Sequence, residues 1–338
     1  MKLRILAVVV LAIAASIALY AAPSSNAPYK QLDKYSLEGE GGWDYLTFDP
    51  DGNRLFIAHS NSFLVVDANS GKKLGEFPAQ GAHGVALVPD KNLGFATNGR
   101  AGTVTVFDAK TLKPSSEIKA GDGPDAIVYD KYSKRVLVMN GHSKDLSIVN
   151  PESLKVEKTI PMGGKLEFAA TDKDHAYVNS EDTGEIVVVD TKTWTQTARW
   201  KLEGCEEPSG LAIDEKNGVL FSVCGNSKMY VVSTASGKTI ATVATGDGTD
   251  AAGFDPALGY AFASNGEGTL SVVHKGKDGK YESAGNVPTQ KGARTMALDS
   301  KTHKVYTVTA EFGDPVPGQR RPPIKPGTFT LLVYGPAK

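Results

Sequence analysis

The sequence predicts an all-β fold, a seven-bladed β-propeller of four-stranded antiparallel blades that is closed by pairing of its N- and C-terminal strands. A strand–turn–strand pattern recurs seven times at intervals of about 40 to 44 residues, which is the length of one blade. Short apolar runs such as Thr103–Phe107, Ile186–Val189 and Leu270–Val273 favour strands over helices. Glycine supplies 36 of 338 residues, above the usual ~7%, as a fold with many tight turns requires.

The N-terminal segment, residues 1–22, is predicted to be a signal peptide. Two basic residues, Lys2 and Arg4, precede an apolar run over 5–19, and small residues follow it. The run is too short and wrongly flanked for a membrane-spanning helix, although a retained membrane anchor is the alternative. We therefore expect export to the periplasm or the extracellular space, and no stable membrane span after cleavage. Residues 23–338 then form a single propeller domain.

Charge and motifs exclude several classes of function. The chain has 37 Lys and Arg against 38 Asp and Glu, and loss of residues 1–22 changes its net charge from -1 to -3. Nucleic-acid binding is disfavoured because phosphate neutralisation requires a surplus of cations. The sequence contains no GxSxG, P-loop, HExxH, CxxC or CxxCH motif, so serine hydrolase, NTPase, zinc protease and covalent haem sites have no support. We expect a monomer.

Each repeat follows the same order of elements: an apolar strand, an Asp-containing turn, a second strand ending near Asn, a Gly-rich bend and an alternating third strand. Turns such as Asp49–Gly52 and Asp214–Gly218 have the residues that a hairpin requires. The seventh repeat has no fourth strand after 328–334, and the stretch 29–37 can supply it. That pairing closes the ring and removes open sheet edges. The clearest second-to-third strand units begin at Gly94, Arg135, Ala176 and Tyr260.

These repeats resemble the YVTN-repeat, YncE-like family of exported bacterial β-propellers, and the resemblance extends over roughly 29–334. Its signature is an apolar pair before Asn, a polar Gly-rich bend, and a strand ending in Asp. It stands here as Tyr177-Val178-Asn179…Val189-Asp190 and as Ala96-Thr97-Asn98…Phe107-Asp108. The resemblance implies an exported propeller that acts as a binding scaffold.

In a propeller, the first strand of each blade lines the central channel. The residue just before that strand and the residue ending the second strand then open onto one face, called the top face here. We expect their side chains to form a polar pocket that binds an unidentified protein or small molecule. The first predicted ring holds Asp44, Asp125, Glu167, Asp250 and Arg294, with Gly84 and Ser209 at the remaining positions. The second holds His59, Asn98, Asn140, Asn179, Cys224, Asn265 and Thr309, and His83 adjoins the first ring.

Four carboxylates of the first ring, Asp44, Asp125, Glu167 and Asp250, are candidate metal ligands. Such hard oxygen ligands suit Ca²⁺ or Mg²⁺, which are the only cofactors the sequence suggests. Propeller lactonases of the gluconolactonase kind have a similar plan, so the alternative function is a metal-dependent lactonase or hydrolase whose metal activates water. The alternative explanation of these polar residues is structural, because Asp and Asn at strand ends form turns and cap backbone groups without any ligand. No motif selects a catalytic residue.

The two cysteines lie in the fifth repeat. Cys205 precedes its first strand and Cys224 ends its second. In an exported protein we expect a disulfide between them that fixes the loop 204–208, and two free thiols are the alternative.

The seventh repeat contains a long insertion, Glu311–Thr328, here called the insertion loop. It has five prolines and the cations Arg320, Arg321 and Lys325, and it lies between second and third strands, which places it on the top face. A long Pro-rich loop is stiff and extended. We expect a lid or partner-docking element, and a solvated excursion is the alternative.

Overall fold

The computed structural model describes residues 27–318 and 322–337. The predicted signal peptide, Arg320 and Arg321 lie outside the described residues. The described chain forms 28 strands and one 3₁₀ turn, Pro89–Lys91, and has no α-helix. The strands build seven four-stranded sheets, which confirms the predicted seven-bladed propeller. Within the described ranges, no helix is long and apolar enough to span a membrane.

The blades follow one another along the chain, each starting with its innermost strand. Blade 1 contains β2 (Trp43–Asp49), β3 (Arg54–His59), β4 (Ser62–Asp67) and β5 (Lys73–Pro78). Blade 2 contains β6 (Ala82–Val88), β7 (Leu93–Asn98), β8 (Thr103–Asp108) and β9 (Pro114–Lys119). Blade 3 contains β10 (Pro124–Asp130), β11 (Arg135–Asn140), β12 (Asp145–Asn150) and β13 (Lys155–Pro161). Blade 4 contains β14 (Leu166–Thr171), β15 (His175–Ser180), β16 (Glu185–Asp190) and β17 (Thr195–Lys201).

The later blades have the same order. Blade 5 contains β18 (Pro208–Asp214), β19 (Val219–Cys224), β20 (Lys228–Ser233) and β21 (Thr239–Ala244). Blade 6 contains β22 (Thr249–Asp255), β23 (Tyr260–Asn265), β24 (Thr269–Lys275) and β25 (Tyr281–Pro288). Blade 7 contains β26 (Ala297–Asp299), β27 (Lys304–Thr309), β28 (Thr330–Pro336) and, as its outermost strand, β1 (Tyr29–Ser36).

Blade 7 closes the ring with strands from both ends of the chain. β1 pairs antiparallel with β28 from Tyr29↔Pro336 to Ser36↔Thr330, as the sequence predicts. The Tyr29 ring also packs on Phe262 of blade 6, with centroids 4.9 Å apart. Closure therefore joins the first strand to two blades and pairs one edge of β28 that would otherwise be open.

The hydrophobic core lies between neighbouring blades. Ile57 and Leu64 of blade 1 share one buried cluster with Val308 and Leu331 of blade 7. The second and third strands are buried on both faces, whereas an outer strand such as β9 buries only Ile118. Because apolar burial is the main stabilising term in folding, this packing holds the seven inner strands in a fixed ring around the axis.

The predicted Asp-containing turns join first to second strands on the face opposite the top face, here called the bottom face. Asp49 accepts a hydrogen bond from the backbone N–H of Asp51 at 3.1 Å. Asp130 accepts one from Tyr132 at 3.1 Å. An aspartate that bonds the backbone two residues later forms a tight turn, which explains why it recurs in the sequence.

Six inner strands have a β-bulge at their top end. In blade 1, Trp43 pairs with His59 and Leu46 with Ile57, so the two residues 44–45 lie opposite one residue. The same irregularity occurs in blades 2 to 6. The bulges define equivalent positions and correct two sequence assignments. In blade 2 the residue equivalent to Asp44 is His83 and not Gly84. In blade 4 the last residue of β15 is Ser180 and not Asn179.

Candidate functional site

The first bulge position of blades 1 to 6, together with Arg294 before the inner strand of blade 7, supplies the side chains at the top end of the channel. The sequence-predicted members of the first ring lie there, and His83 joins them as the blade 2 representative. Blade 5 contributes Ser209, whose hydroxyl donates to the backbone carbonyl of Asp250 at 2.8 Å. We call the ionisable members the mouth cluster: Asp44, His83, Asp125, Glu167, Asp250 and Arg294.

His83 lies between two carboxylates of the mouth cluster. Its Nδ1 is 2.5 Å from Asp44 Oδ2 and 3.3 Å from Asp125 Oδ1. Burial opposes the charged imidazolium, but hydrogen bonds with Asp125 and Asp44, together with their charges, raise the pKa of His83 to about 10. Burial likewise raises the pKa of the Asp44 carboxyl. At neutral pH, His83 is therefore a cation that neutralises part of the charge of its two neighbours.

Glu167 lies in a second group of interacting side chains. Lys165 Nζ is 2.9 Å from Glu167 Oε1 and also donates to Glu181, and the Tyr45 hydroxyl lies 3.4 Å from Glu167 Oε2. Burial, the hydrogen bond with Glu181 and the charge of Asp125 raise the pKa of Glu167 to about 9 in spite of Lys165. The hydrogen bonds with Glu167 and Lys165 outweigh burial and lower the pKa of Glu181. Glu167 is thus the protonated partner in a carboxyl–carboxylate pair.

The third group joins Asp250 to Arg294. The guanidinium donates to the Asp250 carboxylate and, at 3.3 Å, to the backbone carbonyl of Trp43. Each carboxylate of the mouth cluster therefore interacts with a cation or holds a proton. Of these cations, Arg294 belongs to the predicted first ring, His83 was predicted only to adjoin it, and Lys165 was not predicted.

Only some of the predicted metal ligands come together. Ligand atoms of Asp44, His83 and Asp125 all lie within 4.8 Å of one another, whereas Glu167 and Asp250 belong to the other two groups. Two carboxylates and an imidazole fit a small divalent ion, and the nitrogen ligand suits Zn²⁺ or Mn²⁺ better than the predicted Ca²⁺ or Mg²⁺. Because a ligating imidazole must be neutral, an ion there would compete with the proton of His83.

The asparagines of the second predicted ring are buried within the blades. The Asn98 amide donates to the hydroxyls of Thr103 and Thr105 at 3.2 and 2.8 Å, and Asn140 and Asn265 make equivalent bonds. These bonds stabilise the bend between second and third strands. Asn179 instead donates to the Ser209 carbonyl at 2.9 Å and so joins blade 4 to blade 5.

The remaining predicted histidine of that ring, His59, is also buried. Its ring packs on Phe329 with centroids 4.5 Å apart, and burial lowers its pKa. His59 therefore contributes to the contact between blades 1 and 7. Thr309, at the equivalent position of blade 7, is fully buried and donates to the Lys291 carbonyl at 2.6 Å.

A disulfide joins Cys205 to Cys224, with their Cα atoms 5.6 Å apart. It attaches the loop that enters blade 5 to the end of β19. A shallow pocket of about 470 Å³ lies beside it. Its lining includes four acids, Glu181, Asp182, Glu206 and Glu207.

The insertion loop folds back on itself next to the mouth cluster. Phe312 and Ile324 form an antiparallel bridge, and the Gly313 N–H donates to the Pro323 carbonyl at 2.8 Å. Beneath this short hairpin lies a pocket of about 270 Å³. Its walls include Trp43, Arg294, Phe312, Pro322 and Ile324.

Two aromatic side chains span the channel below the mouth cluster. Tyr45 and Phe168, here called the aromatic pair, come from blades 1 and 4 and have ring centroids 5.5 Å apart. They occupy the second bulge position, where the equivalent residues are small. A comparison of the residues at this position in all repeats would have shown, from the sequence alone, that Tyr45 and Phe168 are the two large ones. Blades 2, 3, 5 and 6 carry Gly84, Ala126, Gly210 and Ala251 there, and Thr295 precedes the inner strand of blade 7.

A large cavity lies on the other side of the aromatic pair. It has a volume of about 770 Å³ and extends to the turns of the bottom face. The predicted pocket lies on the top face, and the repeat pattern does not predict this cavity. We call this cavity the chamber.

Comparison with known proteins supports the fold and the family resemblance. No protein-family model matches the chain. "Uncharacterized protein YncE" of Salmonella typhimurium is 30% identical over 95 residues, which is 28% of this chain and 27% of that protein. YncE of Salmonella typhi matches to the same extent. The chain thus matches about a quarter of the length of these relatives.

Solved structures resemble the whole ring at low sequence identity. The hydrazine synthase of Kuenenia stuttgartiensis aligns with a TM-score of 0.66 and 18% identity over 80% of this chain and 93% of its own. U3-55K aligns with a TM-score of 0.75 and 11% identity over 94% of this chain and 100% of its own. The RRP9 WD40 repeats align with a TM-score of 0.76 and 11% identity over 94% of this chain and 99% of their own. These likenesses show the fold alone.

Proposed function

We propose that this YncE-like β-propeller is an exported binding protein that recognises a protein partner through its top face. The observation that carries the proposal is the pocket of about 270 Å³ between the insertion loop and Trp43, next to the mouth cluster. A pocket of this size suits one large apolar side chain of a partner. Trp and Arg are also the residue types most often found at the energetic centre of protein interfaces.

The insertion loop supplies the part of this surface that the regular blades lack. Phe312 and Ile324 present apolar side chains from a short hairpin, and the pocket wall continues into Arg294. Apolar contacts surrounded by charged groups are typical of the centre and rim of an interface. The Arg294–Asp250 pair would fix the orientation of a polar group of the partner beside the pocket.

The decisive experiment compares two surfaces of the same protein. The protein is immobilised and cross-linked to partners from a periplasmic or extracellular extract of the producing cells. We expect a captured partner to be depleted at least about tenfold by Phe312→Ser combined with Ile324→Ser. Leu258→Ser, at an exposed apolar residue in a turn of the bottom face, is the matched control and should capture as wild type does. Equal capture by all three proteins would reject the top face as the binding surface.

Export is the second part of the proposal, and it is supported by the predicted signal peptide and by the disulfide, which forms in oxidising compartments. Deletion of residues 2–22 should retain the protein in the cytoplasm with both cysteines open to alkylation. The full chain should be recovered outside the cytoplasm, shortened at its N-terminus and without free thiols. Cell fractionation and mass spectrometry distinguish these results. Full-length protein in the cytoplasm of cells that express the complete chain would contradict export.

A divalent-metal hydrolase or lactonase is the second candidate, favoured by the convergence of Asp44, His83 and Asp125. In that case, these three residues would hold the ion, which would polarise a carbonyl and activate water. Elemental analysis of the purified protein should then find about one divalent ion per chain, and His83→Ala should lose it. A metal-free wild-type protein that stays metal-free after incubation with Zn²⁺, Mn²⁺, Ca²⁺ or Mg²⁺ would eliminate this candidate.

A further inference from the structure

We infer that the chamber on the bottom side of the aromatic pair is a binding site for a small, largely apolar molecule. This site is separate from the top face and does not depend on the proposed partner. At about 770 Å³, the chamber has the size of typical small-molecule sites, which are roughly 300–1,000 Å³.

The walls of the chamber come from inner strands of six blades. Side chains at equivalent positions below the bulges line it, and most of them are aliphatic or aromatic. Blade 5 alone contributes no lining residue. The apolar side chains, one from each of the six blades, include Phe48, Leu87, Ile127, Phe168, Ala252 and Met296.

Polar groups near these walls already have partners. The Thr47 hydroxyl donates to the Val85 carbonyl at 2.7 Å. Arg54 Nε donates to the Asp49 carboxylate at 2.8 Å, and its Nη2 donates to the Ala109 carbonyl. The walls therefore offer apolar contact and few free hydrogen-bonding groups, so an occupant gains mainly by removing apolar surface from water.

The shape of the chamber restricts the occupant to a small molecule. Tyr45 and Phe168, whose ring centroids are 5.5 Å apart, line one end. The other end reaches the surface between the turns 50–52 and 89–92 of blades 1 and 2. A folded partner cannot enter a cavity inside the ring. A polar end of the occupant would remain at the rim, where Lys110 is exposed to solvent.

A matched pair of positions allows a direct test. Leu87 in blade 2 and Ile213 in blade 5 occupy equivalent places on their inner strands, one residue before the strand end. Both are partly exposed, yet only Leu87 lines the chamber. A tryptophan at position 87 fills the cavity, whereas a tryptophan at position 213 adds the same bulk outside it.

The experiment titrates purified protein with N-phenyl-1-naphthylamine, a neutral apolar dye whose fluorescence rises in apolar surroundings. We expect saturable binding at one site, weakened at least about tenfold by Leu87→Trp and changed less than about twofold by Ile213→Trp. Phe312→Ser with Ile324→Ser should bind the dye as wild type does, so a failure of the top-face proposal leaves this result unaffected. Absent binding, or equal binding by Leu87→Trp and wild type, would overturn the inference.

A crystallographic measurement on the wild-type protein does not depend on any variant folding. Crystals soaked with 4-bromobiphenyl should give a bromine anomalous peak inside the chamber, among the side chains of Leu87, Ile127 and Met296. A peak only on the outer surface, or none at saturating concentration, would contradict the inference.

Discussion

The two ends of the central channel are built from the same inner strands but have opposite chemistry. At the top, the first bulge position carries Asp44, His83, Asp125 and other ionisable groups that pair with one another. A few residues further along these strands, the chamber is lined by apolar side chains. The bulge and the aromatic pair mark the boundary. A propeller can thus vary charge at one end and side-chain size at the other without changing its backbone.

The largest expected effect comes from removing that boundary. Tyr45→Ala combined with Phe168→Ala should lower the free energy of unfolding by about 4 kcal/mol, because two large, partly buried rings lose their mutual packing. The measurement is equilibrium unfolding in denaturant. Tyr45→Phe is the control, since it keeps the ring and removes only the hydroxyl near Glu167, and it should cost less than about 1 kcal/mol. If Tyr45→Phe lowered the free energy of unfolding as much as the double variant, the stability would come from the hydroxyl and not from the packing of the two rings.

The second largest effect on stability is expected from breaking the disulfide, which lies at the top face. Reduction of Cys205–Cys224, or Cys205→Ser with Cys224→Ser, should lower stability by about 3 kcal/mol, since the bond closes a loop with a sequence separation of 19. Thermal unfolding with and without reductant measures this. Dye binding in the chamber should be unchanged at temperatures where both forms are folded. Loss of dye binding on reduction would mean that the two ends are not independent.

The third effect is a pH dependence that belongs to the top end alone. The pKa of His83 is raised to about 10 and that of Glu167 to about 9, so both groups hold a proton in the folded state that they release on unfolding. The stability due to His83 is complete below pH 6.5 and is lost as the pH rises to about 10. The stability due to Glu167 is lost between its unfolded pKa, near 4.5, and about pH 9.

Between pH 6.5 and 9 we therefore expect the free energy of unfolding to fall by about 1–3 kcal/mol, after allowing for solvent screening of the partly exposed His83. His83→Gln with Glu167→Gln should flatten this slope. Lys110→Gln, at the rim of the chamber, should retain it. A slope that persists in the double variant would assign the pH dependence to groups elsewhere.

The smallest effect on stability is expected from the insertion loop. Replacing residues 313–323 by a short Gly-Ser linker should change the free energy of unfolding by less than about 1 kcal/mol, because the loop lies outside the strand ladders and lengthening or shortening a surface loop costs little. The same change should abolish partner capture. Thermal unfolding of the linker variant measures this change. A large loss of stability would show that the loop is part of the fold.

The repeat pattern was sufficient to predict the blades, the closure and the face on which the charged groups lie, because these follow from local turns and strand periodicity. The blade 2 position of the first ring was assigned to Gly84, one residue after His83, because only 39 positions separate Asp44 from His83, fewer than the predicted interval between repeats. Lys165, two residues before Glu167, and Glu181 were missed because they flank their strands and lie outside the repeated ring positions, and only the fold brings Glu181 to Glu167. Sequence spacing also could not reveal that Asn98 bonds within its own hairpin.

The pairing of β1 with β28 has a consequence for the order in which the protein matures. The outermost strand of blade 7 is the first to leave the ribosome or an export channel, but its partner ends at Pro336, and the Ala337 N–H still donates to the Pro28 carbonyl at 2.8 Å. The ring can therefore close only after β28 has emerged, and β1 lacks its pairing partner until then. Emergence of β28 is in this way a precondition of the native state, and a chain that stops before β28 leaves a ring that cannot close.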